Sequence, residues 1–133
     1  MKKLLFLSLL FSIVPFMACD DEEDVYKRPA YEPYRAICGI ENGRENIAWI
    51  RDTIQIEKDR FKEDKTMLFF EIYKAELNGN DVVLFMAPSD VLYYTHAYSC
   101  QGELLDLTQD EHDYLIENHS SWSCLFDVSD YTQ

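Results

Sequence analysis

One hairpin signal near the middle of the chain restricts the fold more than any other feature of the sequence. The loop 78–80 reads Asn-Gly-Asn and joins two segments rich in β-branched, aromatic and long apolar side chains, 66–77 and 81–87. An Asn-Gly pair between such segments favours the tight turn of an antiparallel hairpin. Because residues 82–86 are all apolar, we expect the second strand to be buried on both faces at the centre of a sheet.

Segments on the C-terminal side of this hairpin predict further strands. We expect a third strand over 91–100 and a short fourth strand over 103–107, so that the sheet forms an antiparallel meander. Alternation along the third strand puts one set of side chains on a single face: Leu92, Tyr94, His96, Tyr98 and Cys100. The segment 122–128 fits either a last strand or an irregular cover.

Two helices are predicted to cover the sheet. Isoleucine and phenylalanine recur at helical spacing over 44–61, which predicts one main helix with an apolar stripe. Trp49 stands beside this stripe, where it would anchor the helix to the core. Thr108 and Glu111 fit a capping box and predict a short C-terminal helix over 109–118. The expected fold class is α+β, with the main helix packed on a three- to four-stranded antiparallel meander sheet.

The start of the chain carries an export and anchoring signal. Two lysines precede an apolar run over 4–16, and these ~13 residues are too few to span a bilayer, which takes about 20. The run ends at Ala18 and Cys19 and resembles a bacterial lipoprotein signal, in which the cysteine is acylated and becomes the first residue of the mature protein. By that resemblance residues 1–18 are the signal peptide and Cys19 carries the lipid anchor. An ordinary secretory signal with a nearby free cysteine is the alternative.

Five acidic residues follow this cysteine directly: Asp20, Asp21, Glu22, Glu23 and Asp24. One interpretation is a solvated spacer, because like charges repel and keep the segment extended. The other is a sorting signal, since the run is similar to the surface-export signal of Bacteroidetes lipoproteins. Aspartate in the same second position favours inner-membrane retention in enterobacteria. The resemblance predicts an outer-membrane lipoprotein at the cell surface, with the periplasmic face as the alternative.

The mature chain is the size of a single domain. Residues 19–36 combine the acidic run with two prolines and are interpreted as a tether, which leaves 37–133 as one α+β domain. Removal of residues 1–18 takes away two lysines and lowers the net charge from −13 to −15. Phosphate groups repel such a chain, so nucleic acid is excluded as a favourable partner, whereas a cation or a basic protein is favoured.

Three cysteines remain beyond the lipidation site, namely Cys38, Cys100 and Cys124. In an oxidising compartment their odd number allows one disulfide and a free thiol, no disulfide, or a bridge between chains. A bond between Cys38 and Cys100 would clip the segment before the main helix to the third strand, and Cys124 is the competing partner. The three are too far apart in sequence for a CxxC metal or redox site.

A second resemblance rests on three short segments: Cys-Gly-Ile-Glu-Asn at 38–42, Ile-Ala-Trp-Ile-Arg at 47–51, and Cys-Gln-Gly-Glu at 100–103. Together they resemble a family of small uncharacterised Bacteroides-type lipoproteins with a Cys-Gly-x-x-Asn-Pro segment, a tryptophan at the helix start and a later cysteine before glycine. Gly43 replaces a proline of that pattern. The resemblance implies surface exposure and no known activity, and it supplies no catalytic residues.

Few residues in this chain are candidates for chemistry. His96, His112 and His119 match no recognised zinc spacing, so no metal or other cofactor is expected. No serine stands in a G-x-S-x-G pattern, and no cysteine carries a catalytic signature. Tyr94 and Tyr98 can stack on a sugar or a peptide if they are exposed, or belong to the core if they are not.

These features predict a binding protein rather than an enzyme. We expect a surface-exposed outer-membrane lipoprotein, anchored through its lipid, whose domain binds an unknown protein or glycan ligand. The alternative is a periplasmic or surface immunity or inhibitor lipoprotein, because a small acidic domain suits a basic toxin or protease. A small hydrolase is a further alternative, which requires polar side chains that converge in one pocket.

Overall fold

The computed structural model describes residues 28–67, 71–87, 94 and 96–132. The predicted signal peptide, lipidation site and acidic run lie outside the described residues. In chain order the elements are β1 (Ala30–Tyr31), α1 (Gly43–Asn46), α2 (Ala48–Asp64), β2 (Glu71–Leu77), β3 (Asn80–Met86), β4 (His96–Tyr98), α3 (Gln109–Glu117) and β5 (Ser123–Phe126), with short 3₁₀ turns at His119–Ser121 and Val128–Thr132.

The fold class is α+β, as the sequence predicts, but the sheet is not a simple meander. Its strand order is β1-β5-β2-β3-β4. The hairpin prediction is confirmed, since β2 and β3 pair antiparallel from Glu71 opposite Met86 to Leu77 opposite Asn80. The expected three- to four-stranded antiparallel meander is only roughly compatible with this sheet. β2, β3 and β4 pair antiparallel in chain order, but β5 pairs antiparallel with β2 and β1 pairs parallel with β5, so the sheet is mixed and has five strands.

The last strand explains why the meander prediction is incomplete. All four residues of β5 are buried, so this segment must be covered on both faces and is stable only inside the sheet. β5 pairs with the free edge of β2, and β1 pairs with the outer edge of β5. Local patterning cannot identify such distant partners, because side-chain alternation indicates a strand without choosing its neighbour.

Segment 103–107 does not form the predicted fourth strand. It contacts β4 through a single bridge between Tyr98 and Leu104. Two hydrogen bonds accompany this bridge, from Ser99 N to the carbonyl oxygen of Glu103 (2.9 Å) and from Leu105 N to the carbonyl oxygen of Ala97 (2.8 Å). The segment therefore covers part of the β4 edge and then leaves the sheet for α3.

The predicted main helix is interrupted near its start. Ile47, with φ −93° and ψ 110°, separates the single turn of α1 from α2, and α2 continues to Asp64. Gly43 approaches Ile37 so closely that a Cβ at this glycine would lie 2.0 Å from the Ile37 Cγ2 atom. The break lets α1 pack tightly against Ile37 while α2 turns its own apolar face to the sheet.

The folded domain also begins earlier than the sequence indicated. Ala30 and Tyr31, assigned to the tether, pair with Ser123 and Cys124 of β5. The Tyr31 hydroxyl donates to both carboxylate oxygens of Asp130 at 2.8 Å. These contacts hold β1 in place despite its length of two residues, so the predicted domain boundary at residue 37 lies too late in the chain.

Two apolar cores lie on opposite faces of the sheet. The core beneath α2 consists of Ile37, Ile47, Ile50, Ile54, Ile72, Val83, Phe85, Leu125, Phe126 and Tyr131. The core on the α3 face consists of Tyr73, Ala75, Leu77, Val82, Leu84, Met86, Ala97, Leu115, Trp122 and Cys124. The sheet is therefore the middle layer of the domain, and the two faces differ in what covers them.

Candidate binding site

The structure brings Cys38 and Cys100 together as a disulfide. Cys124 is a free thiol in the α3-face core. Burial, and then the negative charges of Glu71 and Asp127, raise the pKa of Cys124 to about 12. Its thiolate is therefore strongly disfavoured at neutral pH, and Cys124 is unsuited to nucleophilic chemistry.

Trp49 joins this disulfide to the helical layer. Its indole Nε1–H donates to the carbonyl oxygen of Cys100 at 2.9 Å. The indole ring lies against Gly102, where a Cβ would come within 2.9 Å of the Trp49 Cδ2 atom. Trp49 also stacks on Phe85, with ring centroids 6.3 Å apart. The three segments of the second resemblance therefore meet in one cluster, whose contacts are those of packing and cross-linking.

The predicted tyrosine face does not exist as one surface. Tyr98 packs against Trp49 and Phe85 in the core beneath α2, with ring centroids 5.8 and 4.8 Å away. Tyr94 packs on the opposite face of the sheet against Trp122 and His112. Both tyrosines are only partly exposed, so the prediction that they share a face is wrong, and the aromatic stacking platform that it implied is not formed.

A groove runs along the β4 edge of the sheet on the α3 face. Two adjoining concavities of about 400 Å³ each open on either side of segment 104–107. Leu105 and Leu107 line both of them, so we treat them as one feature, the edge groove. The other lining residues are Leu77, Asn78, Asn80, Asp81, Val82, Tyr94, His96, Ala97, Ser99, Cys100, Gln101, Leu104, Asp106, Thr108, Gln109, Glu111 and His112.

The middle of the edge groove is apolar and partly open to water. Leu104 is 64% exposed, one of the most exposed large apolar side chains in the described part of the chain. Leu105 and Leu107 are half-buried and pack on the α3-face core. Exposed apolar surface with a polar rim is typical of interaction sites.

Polar side chains in the groove serve the fold rather than catalysis. The Ser99 hydroxyl accepts from the backbone N–H groups of Gln101 and Glu103, both at 3.2 Å. The Thr108 hydroxyl accepts from the Glu111 N–H at 3.2 Å, and it also lies 3.1 Å from a Glu111 carboxylate oxygen. This N-cap holds the start of α3 and confirms the Thr108 half of the predicted capping box, whereas the Glu111 carboxylate contacts the Thr108 hydroxyl.

Tyr94 and His112 are two titratable side chains that pair across the groove. The Tyr94 hydroxyl oxygen lies 2.8 Å from His112 Nδ1. Burial, and then the charge of Glu111, raise the pKa of Tyr94 above its ordinary value of 10.0. The hydroxyl therefore remains protonated at neutral pH and can donate to the imidazole. The hydroxyl groups of Ser99 and Thr108 bond to residues 101, 103 and 111. Among the described residues, His112 Nδ1 therefore bonds to the Tyr94 hydroxyl and not to a serine or threonine hydroxyl that it could activate as a nucleophile.

Metal binding has no support in the described residues. Within 28–67, 71–87, 94 and 96–132, no group of three histidine, cysteine, aspartate or glutamate side chains lies close enough to hold an ion. His119 Nδ1 lies 2.9 Å from the carbonyl oxygen of Ile116, a local contact at the end of α3.

Charge is distributed unevenly along the chain. Every lysine and arginine precedes Ala75, whereas eleven acidic residues follow Lys74: Glu76, Asp81, Asp90, Glu103, Asp106, Asp110, Glu111, Asp113, Glu117, Asp127 and Asp130. Of the six between 103 and 117, none forms an ion pair with a described residue. The groove and α3 therefore form an acidic side of the molecule, and this asymmetry is the signal that sequence reasoning overlooked.

Most of the described cations lie on the other side of the sheet, among acidic residues. Arg51, Lys58, Arg60 and Lys62 belong to α2, which also carries five acidic residues. Arg44 is the most enclosed cation among the ion pairs of the described residues, with a side chain 12% exposed beside the 2% exposed Asp130. Its Nη1 donates to Asp130 Oδ2 at 3.2 Å and to the carbonyl oxygen of Leu125 at 3.0 Å. This cluster ties α1 to the C-terminal turn and is structural.

Comparison with models of protein families, with curated proteins and with solved structures finds no match in any of the three. No helix in the described part of the chain combines the length and the apolar character that a membrane crossing requires.

Proposed function

We propose that this chain is a non-enzymatic binding lipoprotein, anchored through Cys19 at the outer-membrane surface, whose edge groove is the binding surface. The observation that carries the proposal is the combination in that groove of an exposed leucine, two carboxylates (Asp106 and Glu111) that have no ion pair with a described residue, and hydroxyls engaged with the backbone. Such a surface can hold a ligand, and its described residues include no activated group that could transform one. The leader sequence supports the anchor, and the acidic run after Cys19 supports outward display.

The strand order supports an orientation in which the edge groove faces away from the membrane anchor. β1 begins eleven residues after Cys19 and forms one edge of the sheet, whereas β4 forms the other. Four interstrand steps of about 4.8 Å separate these edges by roughly 19 Å. A ligand in the edge groove would therefore bind at the end of the domain remote from the strand that continues into the tether.

The same acidic groove favours a second candidate, an immunity or inhibitor lipoprotein that neutralises a basic toxin or protease. Its surface chemistry would be identical, because charge complementarity speeds the encounter of oppositely charged proteins. The two candidates differ in location and in partner. The membrane face on which the domain lies therefore decides which of them deserves a partner search first.

Protease shaving of intact cells tests the proposal. We expect external protease to remove the wild-type domain from whole cells, and a Cys19→Ala variant to lose membrane attachment. A matched variant with amides in place of Asp20–Asp24 keeps the lipidation site and should remain membrane-bound but protected. If the wild type is protected while membrane-bound, surface display is wrong and the immunity candidate takes precedence. If Cys19→Ala remains attached, the lipid anchor is wrong.

A further inference from the structure

We propose that the edge groove takes a polypeptide segment in which lysine or arginine alternates with large apolar side chains, and that this is its partner class. The inference rests on the proposed function, since it names the ligand of the same groove. It disfavours glycans, nucleic acid and the chain's own acidic run after Cys19 as occupants.

The apolar part of this recognition comes from the leucines of segment 104–107. Leu104 points into solvent with 64% of its surface exposed, and Leu105 and Leu107 form the ridge between the two concavities. Burial of one leucine raises the affinity of a complex by about 10-fold or more. A partner therefore gains most if it offers an apolar side chain to each concavity. In an extended segment these are alternate residues, and the long, flexible side chains of lysine or arginine between them can bend back to the carboxylates of the groove.

The carboxylates of the groove determine which residues a partner should carry between its apolar side chains. Three carboxylates line the groove, and of these only Asp81 has an ion pair with a described residue, Lys74 at 3.7 Å. Asp106 and Glu111 have none in the described part of the chain. Further along, α3 carries Glu117 in its last turn and no basic residue there, an arrangement that the helix dipole disfavours. A cationic partner would offset both the negative charge of the groove carboxylates and the unfavourable negative charge at the end of α3.

Other occupants fit less well. Sugar rings bind by stacking on exposed aromatic faces, but Tyr94 packs on Trp122 and its hydroxyl lies 2.8 Å from His112 Nδ1. Phosphate backbones and the run Asp20–Asp24 carry the same charge sign as the groove and are repelled. The groove's chemistry thus favours a basic, partly apolar polypeptide.

Titration with designed peptides tests this inference. The purified full-length chain in detergent is titrated with a (Lys-Leu)₅ peptide, with (Lys-Ser)₅ and with (Glu-Leu)₅, and backbone amide shifts map the site. We expect saturable binding of (Lys-Leu)₅ with shifts centred on residues 104–112, weaker binding of (Lys-Ser)₅, none of (Glu-Leu)₅, and affinity that falls as salt is added.

Matched variants separate the groove from net charge. Asp106→Asn with Glu111→Gln should weaken (Lys-Leu)₅ binding about 5- to 10-fold, since exposed ion pairs contribute modestly. Glu63→Gln with Asp64→Asn makes the same change in net charge at the end of α2 and should leave the affinity unchanged. Leu104→Ser should weaken binding about 10-fold. Equal weakening by both double variants, or no effect of Leu104→Ser, would overturn the inference.

The outcomes also distinguish this inference from the proposed function. If (Lys-Leu)₅ does not bind while a neutral oligosaccharide such as maltohexaose shifts the same groove amides, the binding function stands and the basic-polypeptide inference falls. If neither probe binds and intact-cell shaving leaves the domain protected, both are wrong. Binding of (Lys-Leu)₅ by a chain that is protected on cells would keep the inference and transfer it to the periplasmic candidate.

Discussion

Gly102 is a single residue on which the Trp49 cluster depends. It adopts φ +83°, and a Cβ there would lie 2.9 Å from Trp49 Cδ2. We expect Gly102→Ala to lower the free energy of unfolding by about 2–4 kcal/mol, because the cost of a left-handed backbone conformation for alanine is added to the cost of the clash with the indole. Gly79 has a similar φ of +80° with nothing within 4 Å of its virtual Cβ, so Gly79→Ala should cost only about 1 kcal/mol. Urea denaturation of both variants measures the difference, and equal losses would contradict the clash.

Cys124 provides a prediction about reactivity and pH. Burial raises the pKa of its thiol from 9.0 to about 12, so the folded state holds this proton more tightly than the unfolded state. The resulting stability is fully present below pH 9.0 and is lost as pH rises toward about 12. We expect no labelling of the native protein by iodoacetamide at neutral pH and complete labelling in guanidinium chloride. Rapid labelling of the native thiol would contradict its burial.

Residue patterns identified some of these positions in advance and missed others. The Trp49 anchor was predicted from its position beside the apolar stripe, and the Cys38–Cys100 bond was one of the pairings that the cysteine count and the compartment left open. The Arg44–Asp130 pair was not, because its partners lie 86 residues apart and nothing local to either residue indicates the other. Long-range polar pairs become visible only when the chain's topology is known.

At the scale of elements, the Cys38–Cys100 disulfide fastens the segment before α1 to the end of β4. It closes a loop with a sequence separation of 62, for which the chain-entropy relation gives a stabilisation of about 4 kcal/mol. We expect Cys38→Ser with Cys100→Ser to lower the denaturation midpoint accordingly. Reduction of the wild type by dithiothreitol should cause the same loss, whereas it should leave the double variant unchanged. A reductant effect on that variant would point to another disulfide.

The elements themselves divide into those with local and those with distant determinants. The β2–β3 hairpin and α3 follow from a turn sequence and a cap, both contained within a few residues, and both were predicted. The placement of β5 between β1 and β2, the break at Ile47 and the irregular path of 103–107 depend on what each segment packs against. The edge groove lies beside that irregular path, so its shape was not accessible from the sequence, although its charge was.

For the stability of the whole molecule, we expect the distribution of charge to matter more than the net charge. Glu117→Lys and Glu45→Lys change the net charge equally, but they act on opposite sides of the sheet. At position 117 a lysine would stand in the last turn of α3, four residues after Asp113, where both the helix dipole and the carboxylate favour a cation. At position 45 it would join Arg44, Arg51 and Lys58 around one small concavity of about 60 Å³.

We therefore expect the two reversals to have opposite effects on stability at low salt. Glu117→Lys should raise the free energy of unfolding by about 0.5–1.5 kcal/mol, and Glu45→Lys should lower it by about 0.5–1 kcal/mol, because like charges gather and the contact with Arg44 is lost. Thermal and urea denaturation at two salt concentrations provide the measurement, and both effects should shrink as salt screens the charges. If both variants gain stability to the same extent, net repulsion rather than the two-sided arrangement governs this acidic protein, and the electrostatic basis for a cationic partner in the edge groove is lost with it.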